Sequence, residues 1–507
     1  MIAKTLSAIP YGYEGRLVEV EGDMNKGLPA FNVVGMANKT ISEARERVKS
    51  ALVNSSFSFP DKKVTVNLAP ADLLKDGSYL DLPIALTVLA LSSQLHQSDL
   101  ENRLFIGELS LNGDLRPVHG IINIVETAQA AGISEIYLPF QNLPQASLLS
   151  GVKLIGVKNL RELFLHLKGE KLIAPAPKTV VENIKTDEDG PILDHVRGQA
   201  FAKRALSIAI AGHHNILISG PPGAGKTLLA RAAANLLPSL SPSEMIAITK
   251  IYSLSGEAAD TIITKRPFRS PHHTASPVSV IGGGTKATPG EISLAHLGVL
   301  FLDEIPEFPR SVLEALRQPL EDKKISISRA NYKTTYPAEF MLIATMNPCP
   351  SGYLGDPSHE CTCTRKQIET YTKKLSGPLS DRIDMNIEVS KVDNSDLLTK
   401  SNQKRATDPT SEHFIVKNKI SEAIRRQHAR YSKTDFYNSS LSSHQVSSLL
   451  KLTPAAEAFL QNASDKLNLS ARAYFKVLKV AQTIADLDDV ELIDVSQLSE
   501  ALNFRKR

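Results

Sequence analysis

Tryptophan is absent from this chain, and cysteine occurs three times in 507 residues. Three thiols are too few for a disulfide framework in so long a protein, which directs expectation to a reducing, cytoplasmic compartment. Without tryptophan, intrinsic fluorescence has to come from tyrosine. No apolar run is long enough to span a bilayer. The opening Met1-Ile-Ala-Lys-Thr-Leu-Ser7 lacks the apolar core of a signal peptide, so no membrane partner is expected. Neither sign of charge dominates: the formal net charge is +4, a balance that neither demands nor excludes nucleic acid. The length suggests about three or four domains.

Composition along the chain supplies the boundaries. Residues 1–168 alternate strand-like apolar runs with amphipathic helical ones, ending at Leu160-Arg-Glu-Leu-Phe-Leu-His-Leu-Lys168. Ala174-Pro-Ala-Pro-Lys-Thr179 and the acidic Asp187-Glu-Asp-Gly-Pro191 mark a linker over 169–192. A second αβ region covers 193–392, a polar connector 393–410, and a helical region without strand-like alternation 411–507.

The most informative residues lie in the middle region. Asn215-Ile-Leu-Ile-Ser219 is a buried-strand pattern, and Gly220-Pro221-Pro222-Gly223-Ala224-Gly225-Lys226-Thr227 follows it directly into a helical run. Strand, glycine-rich loop and helix in that order form a phosphate-binding P-loop. The glycines let backbone N–H groups turn toward phosphate oxygens, and the helix start adds its positive dipole end. Lys226 is placed to reach the β- and γ-phosphates and Thr227 to offer a hydroxyl to Mg²⁺.

Downstream, Gly298-Val-Leu-Phe-Leu302 ends in Asp303-Glu304. Asp303 is expected to hold Mg²⁺ and Glu304 to polarise the attacking water. A third apolar strand, Phe340-Met-Leu-Ile-Ala-Thr-Met346, ends in Asn347, at the phosphate edge of an open parallel sheet. Arg382 follows a Gly-Pro turn, in position to give its hydrogen-bonding fork to transition-state phosphate charge or to pair with Asp381 or Asp384. Cys349, Cys361 and Cys363, with His359 between them, offer four candidate metal ligands within one loop. Either they complete a tetrahedral Zn²⁺ site or the cysteines hold nothing.

Taken together these motifs resemble the AAA+ ATPases. Val196-Arg-Gly-Gln199, Arg266-Pro-Phe-Arg-Ser-Pro-His-His-Thr-Ala275, Pro289-Gly-Glu-Ile-Ser-Leu-Ala-His296, Phe301-Leu-Asp-Glu304 and Leu469-Ser-Ala-Arg472-Ala-Tyr474 resemble the magnesium-chelatase-like branch. Within it they resemble the YifB/ComM family of bacterial proteins. The resemblance implies an α/β architecture: an N-terminal Lon-protease-like α+β domain, an AAA+ P-loop αβα sandwich and a C-terminal helical lid domain.

It further implies ATP and Mg²⁺ as ligands and a homo-hexameric ring. Asn347 would be the first sensor, Arg382 the arginine finger acting on the neighbouring subunit, and Arg472 the second sensor. Two insertions would line the pore of such a ring. Ser279-Val-Ile-Gly-Gly-Gly-Thr-Lys286-Ala-Thr-Pro289 is expected as a flexible hairpin. Lys323-Lys-Ile-Ser-Ile-Ser-Arg329-Ala-Asn-Tyr-Lys333-Thr-Thr335 is expected as a β-hairpin with cationic residues near its tip. Lys286, Arg329 and Lys333 would then meet single-stranded or branched DNA, although charge alone is equally met by solvated loops. The family has a further cysteine where this chain has Ser351, so a fourth zinc ligand would have to come from His359.

Against peptidase activity in the N-terminal domain, Ser78 lies near the expected nucleophile but Ile122 stands in the lysine's place. That domain is expected to be a scaffold or a DNA-guiding element. The function implied is an ATP-driven DNA motor, a branch-migration helicase in homologous recombination or natural transformation. The alternative is a chaperone-like remodeller of protein, related to the magnesium chelatase ATPase subunit.

Overall fold

The computed structural model describes residues 2–35, 39–73, 75, 78–177, 190–257, 261–284, 287–329, 332–355, 359–375, 377–391, 405–434 and 436–505. Much of the expected linker (169–192) and connector (393–410) lies outside these residues, as does Lys286.

The N-terminal part is a mixed seven-stranded sheet. Its order is Ala30–Val34, Lys63–Ala69, Glu14–Asn25, Ile2–Tyr11, Arg103–Phe105, Glu135–Pro139 and Lys153–Val157. Against it lies the helix Asp81–Leu91, every residue of which is buried. The sequence Leu-Pro-Ile-Ala-Leu-Thr-Val-Leu-Ala-Leu is apolar around the whole helix, and a helix without a polar face has to sit in an interior. Its one charge, Asp81, is bonded by Arg47 at 3.0 and 3.2 Å and by the backbone N–H of Leu109. Burial pushes its carboxyl up to about 6 despite the arginine.

The middle region is a five-stranded sheet, Phe268–Arg269, Val299–Leu302, Met341–Met346, Ile216–Ser219 and Met385–Glu388, with every pairing parallel. Two of the three inner strands, Val299–Leu302 and Met341–Met346, are wholly buried, as near-continuous apolar runs covered on both faces must be. On one face pack the helices Ala200–Gly212 and Lys226–Ala234, and on the other the helices of residues 310–322.

Two hairpins leave this body. Gly282–Gly283 pairs with Thr288–Pro289, preceded by the short helix Pro277–Ile281, so Ser279–Ile281 are helical rather than part of the hairpin. Lys324–Arg329 pairs with Tyr332–Pro337, closing on Arg329 opposite Tyr332. In this second hairpin Ile325 and Ile327 are buried toward the body, the inward half of a period-two pattern.

The C-terminal region is helical: Glu412–Tyr431, Ser443–Leu449, Pro454–Leu467, Ala471–Leu487 and Val495–Asn503. Ser411, Thr453 and Ser470 cap three of these helices with side-chain oxygens. The helices share one core with the sheet's P-loop face. In the run Ile424–Arg430, Arg430 pairs with Asp486 and Arg426 with Asp489 and the Asp486 carbonyl, while Arg425 pairs with Glu422 on the surface. Lys476 and Lys479 turn inward, donating to the carbonyls of Ile383 and Ser439 at 2.6 and 3.0 Å.

Candidate functional site

Strand register assembles the site. Ser219 pairs with Met346, which sets Gly220 beside Asn347, and Leu302 pairs with Ala344, which sets Asp303 beside Thr345. All these residues leave the carboxyl edge of the parallel sheet together, where open α/β sheets bind their ligands. The loop Gly220–Gly225 then turns into the helix Lys226–Ala234. Gly223 and Gly225 have φ of 78° and 79°, and a Cβ added at either would meet open space. The turn therefore needs glycine for its backbone conformation, and it leaves a cradle over the helix N-terminus.

Lys226 is buried at the mouth of that cradle. Its ammonium donates to the carbonyls of Gly220 and Pro221 and to Asn347 Oδ1 at 2.9 Å. Burial lowers its pKa from the ordinary lysine value, and Asp303 and Glu304 oppose that shift. Thr227 Oγ1 donates to Asp303 Oδ2 at 3.2 Å. A hydroxyl and a carboxylate oxygen so placed fit a hard divalent cation. Asn347 Nδ2 is 3.4 Å from Glu304 Oε1, so the amide spans the ammonium and the carboxylate.

One residue here was not anticipated. Thr345 Oγ1 donates to Asp303 Oδ1 and accepts from the backbone N–H of Glu304 at 3.0 Å. Glu304 itself has φ 51° and ψ 52°, a left-handed conformation that costs a non-glycine residue of order 1 kcal/mol. The Thr345 hydroxyl thus fixes both acidic residues. A lone hydroxyl in an otherwise apolar strand, two positions before Asn347, was the available signal.

Arg382 and Arg472 are brought together, away from the P-loop. Both reach the carboxylate of Glu321, at 2.5 and 3.4 Å. They line a cleft of about 780 Å³ between the sheet and the C-terminal helices.

The three cysteines are also brought together. Their sulfurs lie within 4.8 Å of one another, with Cys349 and Cys361 at 3.6 Å. Sulfurs bound tetrahedrally to one Zn²⁺ at about 2.3 Å stand about 3.8 Å apart, so the cluster fits. Ser351 Oγ lies 3.2 Å from Cys349 and 3.6 Å from Cys361. Burial raises the Cys349 thiol, but hydrogen bonds from Ser351, the Leu354 backbone and the other two cysteines outweigh it and bring it down to about 6. His359 stands outside this group, stacked on Tyr353 with Nδ1 3.5 Å from Lys391. The further donor beside the sulfurs is the Ser351 hydroxyl, and the His359 imidazole does not join them.

Of the cationic hairpin residues, Lys333 is exposed; the Arg329 side chain, like Lys286, lies outside the description. In the N-terminal domain Ser78 Oγ donates to Glu108, and Ile122 is fully buried. Lys75 is occupied by the carbonyls of Pro70 and Leu73.

Comparison with known proteins identifies the family. Family models described as magnesium chelatase, subunit ChlI, match residues 192–397; as subunit ChlI of Mg-chelatase, 20–142; and as the ChlI C-terminal part, 410–505. The chain is 43% identical to the competence protein ComM of Haemophilus influenzae, covering 99% of this chain and 97% of that one. It is 40% identical to the uncharacterized protein YifB of Escherichia coli, covering 96% and 94%. It is also 37% identical to an uncharacterized protein of Mycobacterium tuberculosis, covering 100% and 99%. The chain belongs to the ComM/YifB family of magnesium-chelatase-like AAA+ proteins.

Proposed function

We propose that this protein is an ATP-hydrolysing, ring-forming motor on DNA, a branch-migration helicase serving homologous recombination or natural transformation. The observation that carries the hydrolytic reading is the convergence of Lys226, Thr227, Asp303, Glu304 and Asn347 at one sheet edge. Gly220–Thr227 cradle the phosphates, with Lys226 on the β- and γ-phosphates. Thr227 and Asp303 hold Mg²⁺, which when bound neutralises charge on the phosphate oxygens. Glu304 accepts hydrogen bonds from the attacking water and draws its proton, while Asn347 orients that water and keeps Lys226 forward. Arg382 and Arg472 line a cleft that no P-loop residue lines, and we assign both to the nucleotide of a neighbouring subunit in a homo-hexamer.

The DNA reading draws on the ComM relative, a competence protein by name, and on a hairpin with an exposed Lys333 beside its turn. Lys286, Arg329 and Lys333 of each subunit would ring a channel with charge suited to a phosphate backbone. The N-terminal domain, Lon-protease-like in its expected fold, serves as a scaffold or DNA guide, since its Ser78 has a carboxylate rather than an amine for a partner. Cys349, Cys361 and Cys363, with Ser351 Oγ or a water as the fourth donor, hold a structural Zn²⁺.

The test is steady-state ATP hydrolysis with and without single-stranded and forked DNA at two salt concentrations, with Glu304→Gln as the blank. Stimulation that fades as salt rises is expected. Hydrolysis indifferent to DNA from an active, assembled enzyme would replace the DNA motor with the protein remodeller.

A further inference from the structure

Arg382 and Arg472 stand 90 positions apart in the chain, yet their terminal nitrogens converge on a single oxygen. Glu321 lies in the last turn of the helix Arg317–Asp322, and its Oε1 lies 2.5 Å from Arg382 Nη2 and 3.4 Å from Arg472 Nη2. The other terminal nitrogen of Arg382 donates to the Pro378 carbonyl at 2.6 Å. Its Nε is buried with no hydrogen-bond partner. The Arg382 side chain is 11% exposed, whereas those of Glu321 and Arg472 are 48% and 46% exposed. The finger is therefore folded into its own subunit, with one donor unspent, and the carboxylate that holds it faces solvent.

The chemistry of the cleft explains the arrangement. Lys323, Lys476 and Lys479 line it beside the two arginines, together with the carboxylates of Glu321, Glu339, Asp381 and Asp384, so its cations are held by internal anions of which Glu321 is one. Guanidinium forks are built to grip paired anionic oxygens, and carboxylate and phosphate present them alike. A phosphate carries more charge and more acceptor sites than a carboxylate. A half-exposed carboxylate forms one of the weaker kinds of ion pair, so its exchange for phosphate is easy. A carboxylate that stayed in place would oppose an incoming γ-phosphate by like charge. The two arginines together hold Glu321 below the usual carboxylate range, so it is anionic throughout neutral pH.

We propose that Glu321 is a positioning residue that stands in for the γ-phosphate of a neighbouring subunit. In the separate subunit it keeps Arg382 and Arg472 paired and turned inward. It releases them when the neighbour's nucleotide enters the cleft. This rests on the assignment of both arginines to the neighbouring nucleotide. It adds that ring formation must displace an internal anion, so that hydrolysis begins at a higher protein concentration than the interface alone would require.

The experiment follows ATP turnover per subunit over a wide range of protein concentration for the wild type, Glu321→Gln, Glu321→Asp and Arg382→Ala. Glu321→Gln keeps the side chain's shape and removes the competing charge. Its half-maximal concentration should fall roughly threefold, the range set by one exposed ion pair. Glu321→Asp, which keeps the charge, should stay near the wild-type onset. Light scattering of the same proteins with ATP should show the shift in assembly, which a merely structural role would not produce. A Glu321→Gln onset equal to wild type overturns the proposal. So does an unchanged onset with a reduced plateau rate, which would make Glu321 a permanent member of the site. An Arg382→Ala enzyme that still hydrolyses ATP removes the trans assignment and the stand-in with it. An inactive Arg382→Ala beside a Glu321→Gln enzyme of wild-type onset removes the stand-in alone.

Discussion

At the scale of single residues, the acidic pair depends on a hydroxyl. Thr345 donates a hydrogen bond to Asp303 and accepts the N–H of Glu304, so Thr345→Val takes that partner from a part-buried carboxylate oxygen and a part-buried N–H. Hydrogen bonds to charged groups are worth about 1.5–3 kcal/mol. A roughly 10- to 100-fold fall in kcat is therefore expected, with nucleotide affinity nearly unchanged because Lys226 and the loop are untouched. Single-turnover hydrolysis beside equilibrium binding of a labelled nucleotide separates the two. Lys226→Ala should show the opposite pattern, losing nucleotide binding itself, as a filter or fluorescence binding assay would report.

The P-loop and its acidic partners were legible because glycine, hydroxyl and carboxylate at fixed spacing have few other uses. Thr345 was not, since its role exists only through the register that sets Leu302 opposite Ala344. His296 makes a second residue-scale case. It is buried, and its Nδ1 accepts the backbone N–H of Glu339 at 3.2 Å. Burial lowers its pKa to about 4. With the folded pKa below the unfolded value of about 6.5, the neutral ring contributes stability that is full above pH ~6.5 and lost as pH falls toward 4. The loss is on the order of 3 kcal/mol. Thermal midpoints measured from pH 7 to pH 4 should fall less steeply for a folded His296→Gln variant than for the wild type.

At the scale of elements, the cysteine loop sits on the nucleotide site. Gly352 has φ 83°, and a Cβ built there would lie 2.8 Å from Pro222 Cδ in the P-loop. Cys349 is two residues after Asn347, so metal bound at the cluster would brace both the loop wall and the sensor. One zinc per chain is expected by elemental analysis of the purified protein. Removal by a strong chelator should lower the melting temperature and raise the KM for ATP together. A protein purified under zinc-replete conditions with no bound metal would end that reading.

The three sulfurs were visible as candidates in sequence. That Ser351 rather than His359 meets them was not, because His359 is drawn aside by stacking on Tyr353. The basic residues of the C-terminal region teach the same lesson. Arg426, Arg430, Lys476 and Lys479 are claimed by Asp486, Asp489 and the carbonyls of Ile383 and Ser439. A helical pattern gives the face of a side chain but not the distant partner that claims it.

At the scale of the whole molecule, the N-terminal domain is joined to the P-loop body by an interlocked contact. Tyr13, in the turn between the first two strands, has Lys250 Nζ 4.1 Å from its ring centre and meets Tyr336 edge-on, with ring centres 6.2 Å apart. Its backbone N–H donates to Thr334 Oγ1 in the second hairpin, and its carbonyl accepts from Asn123. Lys250 is paired with Glu126, and Ser253 receives the N–H of Gly120 on both its carbonyl and its hydroxyl. Burial pushes the Tyr13 phenol up to about 12, so it is neutral and its ring face remains a cation acceptor at any working pH.

The contact runs from the N-terminal sheet through Tyr13 to the base of the hairpin assigned to DNA, so the two parts should unfold and respond as one. Tyr13→Ala removes the cation–π contact and part of the packing, about 2 kcal/mol of docking. Calorimetry should then resolve the wild type's single transition into two. DNA stimulation of hydrolysis should weaken, while the basal rate, set at the sheet edge far from Tyr13, should change little. If Tyr13→Ala still melts in one step at the wild-type temperature, the two parts are held together by the remaining interface, and the hairpin moves independently of the domain that clasps it.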